Sequence, residues 1–285
     1  MAVKLQPILP ADALRVGAFL HEHLNARVSA EQWAGFIRVP WPSEQPNAGF
    51  MLVADDDQIV GAHLAFYSER TIAGQTERFC NLAAWCVLEE HRFHSLRLLK
   101  ALLAQEGYHF TDLSPSGNVI KLNERLGFEA LDTRASAIPN LPWPSVPGRR
   151  RVSADPAVIE RTLDGEQLAL YRDHARAAAA RHLVLIDGDE WCYVVFRRDR
   201  RKNLPLFASL LHVSHPEVLR RMAGRLSRHL LLRHGVAVTL AEHRIAQPPR
   251  LSFELGAPRP KMFKSDRVAA HQIDYFYSEL VCVAW

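Results

Sequence analysis

The sequence has no apolar run approaching the roughly 20 residues needed to cross a bilayer, which excludes a helical membrane protein. Its opening, Met1-Ala2-Val3-Lys4-Leu5-Gln6-Pro7, lacks the apolar core of a signal peptide. Cysteine is scarce: Cys80, Cys86, Cys192 and Cys282 are scattered, none forms a CxxC pair, and no Cys/His cluster has zinc spacing. The expectation is free thiols packed as small hydrophobes in a reduced cytoplasm, with no metal. No G-x-S-x-G, no G-x-x-x-x-G-K-[ST] and no G-x-G-x-x-G occurs. That removes the nucleophile elbow, the P-loop and the Rossmann phosphate turn.

What is present is an ordinary globular composition. Hydrophobic residues make up 48% and charged residues 23%, which argues against disorder, and 285 residues suit two domains better than one. Charge is uneven. Residues 1–150 carry 14 Lys and Arg against 16 Asp and Glu, whereas the remainder carries 21 against 15. The basic runs Arg149-Arg150-Arg151 and Arg197-Arg198-Asp199-Arg200-Arg201-Lys202 supply most of that excess. They lack interleaved aromatic residues, so they read as solvated turns or as a field for an acidic partner, and nucleic acid is not expected.

The stretch Ile138–Gly148 holds four prolines in eleven residues, which neither a helix interior nor a central strand accepts. It divides the chain into expected domains at 1–137 and 153–285, joined by a proline-rich linker over 138–152. In the first part the pattern reads β-α-α-β-β-β-α-β-α-β. Ser29-Ala30-Glu31-Gln32 has capping-box form. Leu96, Leu99, Leu102 and Leu103 form one helical stripe stopped by Gly107, and Asn118–Leu126 is a helix closed by Gly127. The second part repeats the order in outline, with helix 166–181, strands 182–187, 191–198 and 204–213, helix 216–234 and strand 236–242. This points to an internal duplication. The closing stretch from Tyr275 to Trp285 is aromatic and apolar, so it is expected to be packed, as a strand against the second sheet or against a neighbour, which leaves a homodimer open. Arg259–Ser265, basic and containing an aromatic, reads as a surface strand bounded by prolines.

Two segments carry a resemblance. Val87-Leu88-Glu89-Glu90-His91-Arg92-Phe93-His94-Ser95-Leu96-Arg97-Leu98-Leu99 stands where the GNAT superfamily of N-acetyltransferases has a strand, a turn of the form Gln/Arg-x-x-Gly-x-Gly/Ala and a helix. Ser116–Phe128 is similar to that superfamily's stretch ending Leu-Tyr-x-x-x-Gly-Phe. The likeness covers roughly residues 3–135. It implies an α/β fold with a mixed sheet, in tandem, acting as a soluble cytoplasmic acyltransferase. Acetyl-CoA or another acyl-CoA would be co-substrate, and an amine of an unidentified acceptor would attack it directly. Carried over position by position, Cys86 and Val87 would face the pantetheine arm. Arg92, Phe93, His94, Ser95, Leu96 and Arg97 would form the pyrophosphate turn. Ser114 and Ser116 would lie near the thioester, and Asn118 is a further cofactor-binding candidate.

Departures from the pattern matter chemically. Ser95 and Arg97 occupy the glycine positions, so backbone approach to phosphate is restricted. Arg97 would be a charge clamp or an obstruction. Asn123 replaces the tyrosine that would protonate the departing thiolate. An amide can donate a hydrogen bond to sulfur but cannot give up a proton. No carboxylate base is identifiable on the strand from Arg78 to Val87. Two alternatives to the enzyme therefore stand beside it: an acyl-CoA-binding regulatory protein without catalysis, and an acyltransferase taking its donor from acidic acyl carrier protein. In the second part, Ser214–Arg220 has no glycine and carries Pro216 and Glu217, so it is not expected to hold CoA.

Overall fold

The computed structural model describes residues 2–144, 148–201 and 204–284. In chain order the elements are β1 Val3–Pro7, α1 Ala13–His23, α2 Ala30–Phe36, β2 Gly49–Ala54, β3 Ile59–Ile72, β4 Gln75–Val87, α3 Ser95–Leu103, β5 His109–Asp112, α4 Asn118–Arg125 and β6 Glu129–Ala130. There follow β7 Ala135–Pro139, β8 Arg150–Ser153, α5 Pro156–Thr162, α6 Gly165–His174, β9 Arg181–Asp187, β10 Glu190–Arg201, β11 Leu204–Val213, α7 Pro216–His234, β12 Val238–Glu242, β13 Phe253–Glu254, β14 Met262–Lys264 and α8 Glu279–Cys282. The first ten reproduce the order read from the sequence.

Local chemistry explains several boundaries. The Ser29 hydroxyl accepts from the Gln32 amide while the Gln32 side chain accepts from Ser29 N–H, the reciprocal capping box at the start of α2. α3 buries Leu98, Leu99 and Leu102 against the sheet. α4 is closed by Gly127 at φ +83°, where a side chain would be strained, and Phe128 N–H then bonds back to the Asn123 carbonyl.

Two seven-stranded mixed sheets result, ordered β1-β2-β3-β4-β5-β14-β6 and β13-β7-β12-β11-β10-β9-β8. Both contain one parallel junction, β4 with β5 and β11 with β12, among antiparallel neighbours. The compact units are discontinuous in sequence. One comprises Met1–Leu131, Pro260–Ile273 and Tyr277–Trp285; the other comprises Asp132–Arg259 and Asp274–Phe276.

This partition differs from contiguous domains at 1–137 and 153–285. Ile138 and Pro139, read as linker, are the last residues of β7 and pair with Thr239 and Val238. Asn140 is buried and bonds Val236 and Thr239. Residues 145–147 of the expected linker, Lys202 in the second basic run and Trp285 at the end of the closing stretch lie outside the described residues. The sixth place in each sheet is filled from a distant segment: β7, just after the first unit's main stretch, joins the second sheet, and β14, after the second unit's, joins the first. Pairing over more than a hundred residues leaves no local signal.

The Arg259–Ser265 segment, expected on the surface, therefore contributes an internal strand, with Met262 and Phe263 at 1% and 3% exposure. Its return is fixed by polar contacts. Ser265 Oγ lies 2.8 Å from His109 Nδ1, His109 Nε2 lies 2.8 Å from Glu77 Oε2, and Arg267 donates to the same carboxylate at 2.9 Å. The His109 hydrogen bond, reinforced by the Arg267 cation, holds Glu77 below the usual carboxylate range. Lys264 donates to the Leu126 carbonyl at 2.7 Å, satisfying the end of α4.

The closing stretch is packed as expected: Tyr275, Phe276, Val281 and Val283 are at most 2% exposed. It forms a short helix rather than a strand. Tyr277 holds φ +56°, fixed by the Trp41 ring at 5.3 Å and the Arg70 guanidinium at 5.2 Å. Truncating Met262 to Ala removes buried contacts between β5 and β6 in the first sheet. We expect urea denaturation to show a loss of about 2–5 kcal/mol.

Candidate functional site

β4 and β5 run parallel only from Phe79 opposite His109 to Leu82 opposite Asp112. β5 stops there. Pro115 follows shortly, without an amide hydrogen and restricting Ser114 before it. β4 continues to Val87 because antiparallel β3 supports it along that length. Beyond Leu82 its other edge therefore faces no strand, and residues 84–87 are half-buried. The ladder with β3 also slips: His63 pairs with Trp85 and Leu64 with Ala83, so Ala84 has no opposite residue and adopts φ +48°. This is a bulge, which bends the strand and leaves backbone polar groups outside the ladder.

The turn after β4 is more ordered than the sequence suggests. Glu89–His94 forms a 3₁₀ helix leading directly into α3, and Ser95 N–H bonds the Arg92 carbonyl. Such a turn uses its own amides internally, leaving fewer N–H groups for an anion. Arg92 is exposed and lies 3.6 Å from Glu89. Phe93 is 76% exposed with its ring against that of His94. Arg97, expected as clamp or obstruction, does neither in this conformation: its guanidinium donates to the Val3 carbonyl at 2.9 Å and lies 3.4 Å from His94 Nδ1. Desolvation, then the Arg97 and His91 charges, lower the His94 pKa.

Below the divergence lies a polar cluster. Asn81 on β4 donates to the Thr111 carbonyl and hydroxyl, and its oxygen accepts from Glu279 N–H at 3.1 Å. Ser114 is exposed, and its hydroxyl donates to Glu279 Oε1 at 2.7 Å. Asn123 is fully buried and donates to Asp112 Oδ2 at 2.8 Å. Burial raises the Asp112 pKa to about 6, against the opposing pull of the Asn123 and Ser114 hydrogen bonds. Thus two buried carboxylates, Asp112 and Glu279, flank the end of β5.

Sequence reasoning missed both. Asp112 ends a short strand, His109-Phe110-Thr111-Asp112, whose mixed pattern does not mark it as buried, and Glu279 is 165 residues from Ser114. The one available signal was a glutamate within an otherwise apolar closing stretch. His63, by contrast, is a neutral core histidine, stacked on Trp85 at 4.8 Å and lowered by burial to about 3.

No protein-family model matches the chain, and no curated protein matches it by sequence. Solved structures do. The fold is similar to a GCN5-related N-acetyltransferase from Anabaena variabilis ATCC 29413, at 12% identity, over 92% of this chain and 72% of that one, with TM-score 0.60. It is also similar to a GCN5-related N-acetyltransferase from Kribbella flavida, at 17% identity over 92% and 70%, TM-score 0.56. Saccharomyces cerevisiae N-myristoyltransferase with bound myristoyl-CoA matches at 8% identity over 85% and 73%, TM-score 0.51. The chain has a tandem GNAT fold.

Within the GNAT frame, Cys86 and Val87 lie on the open part of β4, Arg92 to Arg97 follow it, and Ser114, Ser116 and Asn118 lie in or just past the loop after β5. Asn123 is placed differently from the expectation. With no exposure and its amide bonded to Asp112, it faces the protein interior rather than a leaving group. Among the described residues, no group of three or more His, Cys, Asp or Glu side chains could hold a metal ion, and no helix is long and apolar enough to cross a membrane.

The Asp112 carboxyl is raised on folding, so folding favours its protonated form. Its contribution becomes unfavourable as pH rises from the unfolded value near 4 to about 6. Compared with Asp112→Asn, the wild type should lose on the order of 3 kcal/mol more stability between pH 4 and pH 7.5. Urea denaturation at the two pH values checks this.

Proposed function

We propose that the first unit binds an acyl-CoA and transfers its acyl group directly to an amine. The observation carrying this reading is the unpaired, half-buried edge of β4 beyond the end of β5. A pantetheine arm, with two amides, can add to such an edge as a strand does. The bulge at Ala84 supplies backbone groups able to polarise a thioester carbonyl held there. Arg92 supplies the exposed cation for phosphate, with His94 and Ser95 next to it in the turn and Phe93 and Leu96 flanking them, while Ser116 and Asn118 are polar groups past the end of β5. Cys86 and Val87 line the arm.

In this reading the attacking amine loses its proton to the Ser114 hydroxyl, which passes its own to Glu279 behind it. The serine is a relay rather than a nucleophile. Asn123 acts as a positioning residue through Asp112 and does not touch substrate. The departing CoA thiolate takes its proton from water. Direct attack is supported by the cysteines: desolvation raises the pKa of Cys80 to about 12 and that of Cys86, Cys192 and Cys282 above the usual thiol value, so none is an activated thiolate. The myristoyl-CoA bound by the yeast transferase of similar fold supports an acyl-CoA donor.

A second reading, with acyl carrier protein as donor, is favoured by one feature. A basic groove of about 470 Å³ in the second unit is lined by Arg150, Arg151, Arg225, Arg228, Arg233 and His229, together with Val152 and Leu232. Such a field attracts an acidic protein.

Calorimetry with CoA and acetyl-CoA, followed by thiol release against a panel of amines, tests the proposal. We expect micromolar CoA binding, and Arg92→Ala should weaken it by about 1–2 kcal/mol. Ser114→Ala and Glu279→Gln should each lower kcat roughly a hundredfold while leaving CoA affinity within about twofold. CoA binding without thiol release from any amine would replace the enzyme with an acyl-CoA-binding regulator. No CoA binding by folded protein would favour the carrier-protein donor.

A further inference from the structure

The second unit repeats the divergence of parallel strands but fills the space differently. β11 and β12 pair only from Phe207 opposite Val238 to Ser209 opposite Leu240, and β11 then continues to Val213. In the first unit the strand partnering the diverging one is followed by helix α4, which contributes Ile120, Leu122 and Leu126 to the core. In the second unit β12 is followed by a turn at 243–245 and then irregular chain through Pro248 and Pro249. Consecutive prolines exclude a helix interior there. A cavity of about 330 Å³ is left between α7, the sheet and this loop.

Its walls define what can enter. Leu210, Leu219, Ala223, Leu226, Ile138 and Ile245 are among its apolar lining, and His243, Arg244 and Gln247 line it on the side of the loop. Three polar groups on the sheet and α7 side have protein partners. Asn140 donates to the Val236 carbonyl and to Thr239 Oγ, and Thr239 donates back to the Asn140 oxygen. Ser227 Oγ accepts from Leu141 N–H at 2.7 Å and donates to the Leu141 carbonyl. An apolar ligand therefore loses little on entering beside these groups, whose hydrogen bonds are already made within the protein. At roughly 30 Å³ per non-hydrogen atom, the volume suits on the order of ten atoms. Pro216 at the start of α7 leaves that end one backbone donor short for a phosphate, Glu217 is paired with Arg220, and an uncharged chain needs no such donor.

We propose that this cavity is a second ligand site, which takes a medium-length aliphatic chain carried by a small molecule without phosphate. The site is independent of the acyl-CoA reading of the first unit. It converts the counterpart cleft into an apolar receptor by replacing a helix with a proline-bounded loop.

The probes are 1-hexanol, 1-heptanol and 1-octanol, titrated calorimetrically into the full chain. We expect saturable one-to-one binding that tightens about threefold to fourfold per methylene, as removal of each CH₂ from water dictates, with a negative heat-capacity change. Ala223→Trp, which fills the space, should weaken 1-octanol at least tenfold with an unchanged circular dichroism spectrum. Should that variant not fold, methyl NMR of the wild type decides: shifts at Leu210, Leu219, Leu226 and Ile245 support the site, and shifts confined to other methyls overturn it. Displacement of bound 1-octanol by CoA, equal affinity in folded Ala223→Trp, or no saturable binding up to the solubility of 1-octanol would each overturn it as well.

Discussion

The early end of β5 beside a β4 that continues is the constraint on which the first unit's candidate site depends. Parallel pairing lasts four residues and stops at Asp112. Pro115 favours this stop, because it brings no amide hydrogen and restricts Ser114. β4 survives alone because β3 supplies its other edge as far as Val87. Backbone groups are left half-exposed in a sheet otherwise closed on both sides of the strand. The bulge at Ala84, the ordered turn into α3 and the cluster around Asp112 are all arranged about that opening. A site built from a strand edge asks little of side-chain identity, which fits the loss of both turn glycines without loss of the fold.

The same opening is furnished from the far end of the chain. β14 enters the sheet beyond β5, and Glu279 reaches Ser114 and Asn81. The contacts of Ser265, His109, Glu77 and Arg267 hold that return in place, with the buried His109 and Glu77 satisfied by each other, by Ser265 and by the exposed Arg267. Glu279 without exposure and Ser114 with it make a pair in which only the hydroxyl meets solvent.

The two units share one strand topology with different contents. Each sheet has one parallel junction that diverges, and in each the strand beyond that junction, β14 or β7, is distant in sequence from the strand it joins. In the first copy a helix follows the junction and the open edge lies beside an exposed arginine. In the second, prolines replace the helix, an acidic residue stands in the first turn of α7, and an apolar cavity remains. The difference arises from a handful of residues after each short strand rather than from the sheets.

The sequence determined the local elements and their order. Ser29 with Gln32, the leucine stripe of α3 and Gly127 before Phe128 act through neighbours three or four residues away, so their signals are readable in one dimension. It also determined that the second turn, with Pro216 and Glu217, differs from the first. What only the tertiary structure decided are pairings that span much of the chain. β7 with β12, β14 with β5, and Glu279 with Ser114 have no periodicity linking their partners. A two- or three-residue strand such as β14 has too little pattern to be recognised before its neighbours exist. Asn123 belongs here as well. Its residue type suggested a group turned toward a leaving thiolate, whereas it is fully buried and its amide donates to the Asp112 carboxyl.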